Sequence, residues 1–112
     1  MDTFAWREHL QRWGAIAYST STQRYATAFG YRYQADAEAR ALAECGARDA
    51  FIAVSARDHI YLALARAADG SWGWGANADQ NTAQQVALAN CAGSGSHIVA
   101  VVHPVMGIIF LA

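Results

Sequence analysis

Two cysteines, four histidines and a set of aromatic residues are the side chains through which this chain of 112 residues could do chemistry. Cys45 and Cys91 each close an alanine-rich stretch. Both therefore fall at the C-terminal end of an expected helix, where the macrodipole is negative and a thiolate is disfavoured. No histidine stands at a spacing that suggests a Cys–His pair, which argues against a thiol nucleophile. Two cysteines so far apart do not make a disulfide framework, and small buried free thiols are the expectation. A redox switch joining the two is the sharper alternative. Among the histidines, His9, His59, His97 and His103, the last two would share one strand face. Six residues of strand separate them by roughly 20 Å, too far for one metal ion. Asp58-His59 reads as a solvent-facing turn, with a pocket around it and Ser55 as the catalytic alternative, and a metal site or acid–base dyad built across the fold stays open. Gly73 and Gly75 alternate with tryptophans and do not open a helix, so no phosphate loop is present. No catalytic residue, metal ligand or cofactor is assigned.

The aromatic residues are the candidate contact surface. Trp72 and Trp74 share one face of an expected strand, with Gly73 and Gly75 on the other. Tyr31 and Tyr33 do the same earlier in the chain, with Arg32 opposite. Such rings either cover helices as core or form a recognition face, since Trp, Tyr and Arg dominate binding hot spots. Nucleic acid is disfavoured as a partner: eight Lys+Arg face nine Asp+Glu for a net charge of -1, leaving no basic field to attract phosphates.

The elements that must position these residues can be read from composition and pattern. Hydrophobic types make up 54% and charged types 15%, which excludes a disordered tail, and the length fits a single domain. No apolar run approaches the roughly 18–20 residues of a membrane span. The start, Met1 to Glu8, lacks the basic and apolar regions of a secretory signal, so a cytoplasmic protein is expected.

Ala37-Glu38-Ala39-Arg40-Ala41-Leu42-Ala43-Glu44-Cys45 reads like Ala83-Gln84-Gln85-Val86-Ala87-Leu88-Ala89-Asn90-Cys91. Each is followed by a Gly-containing loop and an apolar run, Phe51 to Val54 and Ile98 to Val102. Each is preceded by aromatic sequence and, before that, by a small apolar strand, Gly14 to Tyr18 and Tyr61 to Ala65. The reading is a duplicated strand-strand-helix-strand unit over 13–55 and 60–102. The fold class expected is α+β, with antiparallel sheets packed on two helices. Asp36 or Ala35 should start the first helix, and Asn77 or Asp79 should cap the second. Gly46 and Gly93 suit the helix exits. Asp69-Gly70 signals a hairpin, and Ser19 to Gln23 a polar turn. Residues 2–12 read as an extra helix with Trp6, Leu10 and Trp13 on one face. Residues 105–112 read as a last strand. Burial within the chain or its dimer is preferred, and an exposed interface segment is the alternative.

Trp13-Gly14-Ala15-Ile16-Ala17-Tyr18-Ser19 and Gly70-Ser71-Trp72-Gly73-Trp74-Gly75, each followed by an alanine-rich helix ending in cysteine, resemble a bacterial family of unknown function, the DUF4189 domains. The resemblance covers about Trp13 to Val102. It implies a small α/β domain, often exported and usually holding two disulfides, with no catalytic set to carry over. Members typically have a second cysteine a few residues after each helix cysteine, where this chain has Ala50 and His97. Another is typical near Asp58-His59-Ile60. Without them Cys45 and Cys91 cannot form the family's bridges, which implies adaptation to a reducing cytoplasm.

The function expected from these features is a non-enzymatic protein-binding domain, an immunity protein that neutralises a bacterial toxin by occluding it. Tyr31, Arg32, Tyr33, Trp72 and Trp74 are the candidate contacts. One alternative is a secretion-system effector or small enzyme with a pocket near Asp58 and His59. The other is a structural homodimer joined through the C-terminal strand.

Overall fold

The computed structural model describes residues 11–112. Seven strands and two helices follow in the order β1 (Trp13–Tyr18), β2 (Tyr25–Tyr31), α1 (Gln34–Cys45), β3 (Phe51–Arg57), β4 (Tyr61–Arg66), β5 (Trp72–Asn77), α2 (Gln80–Asn90), β6 (His97–His103) and β7 (Gly107–Leu111). The fold is α+β. One antiparallel sheet has strand order β2-β1-β3, the other β5-β4-β6-β7. Each half of the chain runs strand, strand, helix, strand, and in each its first strand lies between the other two.

Side-chain size along the central strands explains the layering. Successive residues of a strand point to opposite faces. In β1, Ile16 and Tyr18 enter a core shared with Leu62, Leu64, Val99 and Val102, while Ala15 and Ala17 face α1. In β4, Leu62 and Leu64 point to that core, while Ala63 and Ala65 lie under α2. Bulky residues thus fill the space between the sheets, and alanines meet the helices. The layers run α1, first sheet, second sheet, α2.

The helices answer with stripes of small residues at every fourth position, Ala37, Ala41 and Cys45 in α1, and Ala83, Ala87 and Cys91 at α2. Their close approach accounts for the alternation in β5. A β-carbon at Gly73 would stand 2.5 Å from the Ala87 carbonyl oxygen, and one at Gly75 would strike the Ala83 carbonyl oxygen. The glycines let α2 rest on the strand, and the tryptophans that alternate with them, Trp72 and Trp74, point away from it.

The caps follow expectation in part. Asp79 caps α2 by accepting from the Thr82 amide at 2.9 Å, and Gly46 ends α1 at φ 69. However, α1 starts at Gln34, with Tyr33 as a cap that makes no side-chain bond, and not at Ala35 or Asp36. The second helix ends on Cys91 in extended geometry, and Gly93 has another use: a side chain there would collide with Asp69 and Ala67. Gly70 turns the β4–β5 hairpin at φ 91. In the Ser19 to Gln23 turn, buried Ser19 donates to Asp49 at 2.6 Å and accepts from the Thr22 amide at 3.2 Å.

Most of the expected N-terminal helix, residues 2–10, lies outside the described residues. Its proposed end is not helical: Gln11 has φ 67, and Trp13 belongs to β1. The last strand forms a hairpin with β6. Its tip docks on the first sheet, where Pro104 packs against Gly14 and its carbonyl accepts from the Gly30 amide at 2.9 Å.

Candidate functional site

The cysteines are free and buried. Each thiol donates to a carbonyl just before the second strand of its own half, Cys45 to Arg24 at 3.6 Å and Cys91 to Ser71 at 3.4 Å. Cys45 packs in the cluster under α1 and Cys91 in the cluster under α2. Both sheets stand between those clusters, so the two sulfurs cannot form a switch with each other.

The polar residues expected near Asp58 and His59 do not converge. Ser55 donates to Glu38 at 2.9 Å and accepts from Gln34 at 3.0 Å, on the side of β3 that faces α1. Asp58 sits in the left-handed region at φ 60, and its carboxylate accepts from the amides of Gln11 and Arg12 at 2.9 and 3.2 Å. Asp58 therefore holds the chain entering β1. His59 turns to His103, with ring centres 5.5 Å apart, and Tyr61 meets His103 edge-on at 4.8 Å.

His103 is buried. Its Nδ1 accepts from the amides of Val105 and Met106 at 3.2 and 3.0 Å, which requires that nitrogen to be unprotonated. Burial, and secondarily the neighbouring His59, hold its pKa below the usual histidine value. The ring closes the β6–β7 turn. His97 and His103 are not on one face as the spacing suggests. A bulge in β6 beside the Leu64–Ala65 step leaves Val99 as an extra residue and reverses the alternation. His97 then pairs with Arg66 on the inner side, while His103 lies beside Tyr61 on the side of α2. Among the described residues no group of three or more His, Cys, Asp or Glu could hold a metal ion.

The five aromatic and arginine candidates do not form a single patch. Trp72 is core: it packs at 5.5 Å on Tyr18 and 5.2 Å on Phe51. Trp74, on the same face further along β5, is 43% exposed. Tyr31 packs on the cluster under α1, opposite Trp13 at the far end of β1 from Tyr18. Tyr33 leaves the strand to begin α1 and is 57% exposed, with Arg32 against its ring at 5.7 Å. A shallow groove of about 290 Å³ runs beside β2, lined by Thr27, Ala28, Phe29, Tyr31, Arg40 and Glu44. The Arg40 guanidinium and Glu44 carboxylate pair with each other at 2.9 Å.

The apolar surface that the aromatic pattern did not locate is at β7. The strand is not buried within the chain: every residue from Ile108 to Leu111 is exposed, Ile108 by 47% and Phe110 by 45%. Val105 and Met106 extend the surface over the turn, Met106 at 60% exposure. Phe29 adds to it from β2, its ring lying against Gly107. The exposure has a cause on each face. Helix α2 covers β5 and β4 and reaches β6 but makes no contact with β7, and on the inter-sheet face, among the described residues, β7 is met only by β2 of the first sheet. The run of apolar types at 105–112 was the available signal for this surface. Nothing in that run distinguishes a strand covered on both faces from one only partly covered.

Comparison with known proteins adds one match. A family model described as a domain of unknown function, DUF4189, matches residues 13–103. No curated protein and no solved structure matches the chain.

Proposed function

The chain belongs to the DUF4189 family, and we propose that it works as a non-enzymatic protein-binding domain whose contact surface is centred on β7. The observation that carries this reading is the uncharged apolar strand left exposed from Ile108 to Leu111, continued by Val105, Met106 and Phe29. Contiguous exposed apolar surface is costly in water and marks interaction sites. Of the polar residues considered for catalysis, Asp58 holds the chain entering β1 and Ser55 ties β3 to α1, which favours contact over chemistry. Two free, buried thiols suit a reducing compartment such as the bacterial cytoplasm.

Phe110→Glu tests the contact surface. The side chain is already half in water, so the fold should persist by circular dichroism. Binding to any partner that uses this face should fall by at least about tenfold. Partner binding unchanged by this substitution would remove β7 from the function. An inhibitor that neutralises a cognate toxin by occlusion is one form of such a domain. Co-expression with the product of the adjacent gene tests that form: a stable complex and restored growth would support it, and neither appearing would dismiss it.

A further inference from the structure

We propose that the occupant of β7 is a second copy of this chain, its own β7 lying antiparallel across a two-fold axis and joining two four-stranded sheets into one. This rests on the reading of β7 as a contact surface and adds the identity of what binds there.

The backbone supplies the first argument. Among the described residues β7 pairs with β6 alone, so its outer edge presents unsatisfied amide and carbonyl groups. Native edge strands are protected by charges, prolines or covering elements, because an open edge templates further pairing. The edge strand β3 carries Arg57, more than half exposed, and β5 lies beneath α2. The sequence of β7, Gly-Ile-Ile-Phe-Leu, has neither charge nor proline, and among the described residues no helix covers it. The bulge at Ile109 adds local twist but places no charge on the edge.

The second argument is self-complementarity. A two-fold contact sets the same patch against itself. A charge near the axis would meet its own copy and repel it, and β7 has none. Antiparallel pairing would satisfy the free edge groups and bring the exposed isoleucine, phenylalanine and leucine side chains of the two strands alongside one another.

The third argument is area. At roughly 200 Å² of surface for a large apolar residue, the exposed fractions of Phe29, Val105, Met106 and Ile108 to Leu111 leave on the order of 600 Å² of apolar surface. A standard interface takes about 800 Å² from each partner. The patch supplies most of that before backbone and polar rim are added.

Sedimentation velocity and light scattering on the full chain, over roughly 1–100 µM, test the proposal. The expected result is a dimer, with the β7 amides more protected from hydrogen exchange at the high concentration than at the low. Phe110→Glu and Ile108→Glu should each weaken the dimer by at least about tenfold. The exchange comparison uses the unaltered chain, so it holds even if a variant folds poorly. A monomer at every concentration overturns self-association. A monomer that still binds another protein through β7 would leave the contact reading standing. A dimer indifferent to both substitutions would place the interface elsewhere and overturn the proposal.

Discussion

His103 works at the end of β6 as an aspartate or asparagine works in many turns, by offering one acceptor to two successive amides. Its titration is therefore coupled to the hairpin. Protonation would replace the Nδ1 acceptor with a donor facing two donors, beside His59 and Tyr61. The folded-state pKa is depressed, so the unfolded chain binds this proton more readily. Stability from this site is complete above about pH 6.5, the unfolded value, and is lost as pH falls through the lower folded one. Urea melts at pH 7.5 and pH 5 should show that loss, and His103→Ala should remove much of the difference. At neutral pH the same substitution should cost about 1–3 kcal/mol, since two amides lose their acceptor. Tyr18 presents the converse. Its hydroxyl is buried with no hydrogen-bond partner among the described residues, and desolvation raises its pKa. Tyr18→Phe keeps the ring against Phe51 and Trp72 and removes the stranded hydroxyl. It should be neutral or stabilising by up to about 1 kcal/mol in denaturant melts.

Elements were legible wherever a local signal had one structural meaning. Asp69-Gly70 gave the hairpin, Asp79 the cap and Gly46 the left-handed exit. The start of α1 was misplaced because no side chain marks it: Tyr33 caps by position alone. In β5 the tryptophans attracted a functional reading, whereas the glycines between them set the geometry. Gly75→Ala should therefore cost about 3 kcal/mol or more, as overpacking against the α2 backbone. A thermal melt of that variant beside Gly95→Ala makes the comparison. Gly95 has open space around it and only its φ of 72 to strain, so its cost should be nearer 1–2 kcal/mol. The cysteines are buried beneath different helices, and that placement gives a further expectation. Under native conditions both should react slowly with a thiol reagent, and mild oxidation should yield no bond between them. A native-state Cys45–Cys91 disulfide, seen by mass spectrometry, would contradict the layering.

For the molecule as a whole, the pattern of large and small residues along β1 and β4 carries the architecture. Leu62 and Leu64 fill the space between the sheets, and truncating either to alanine should cost about 2–5 kcal/mol by denaturant titration. The candidate site was less legible for a reason of the same kind. Whether Ile108 to Leu111 is covered depends on how far α2 extends across one face of the sheet and the first sheet across the other, which no local pattern records. Likewise Ser55, Asp58 and His59 lie close in sequence, yet a strand side and a turn send them to different neighbours.

Each helix lies against one sheet, and the helices have no contact with each other. They are outer skins on a shared double-sheet centre, so neither is held by the other. Local opening follows such boundaries. Either helix can peel away while the opposite skin stays seated, giving the protein two separate low-energy openings beneath its global unfolding. Amides of α1 and α2 should then follow two distinct denaturant dependences, both faster than the central strands β1 and β4.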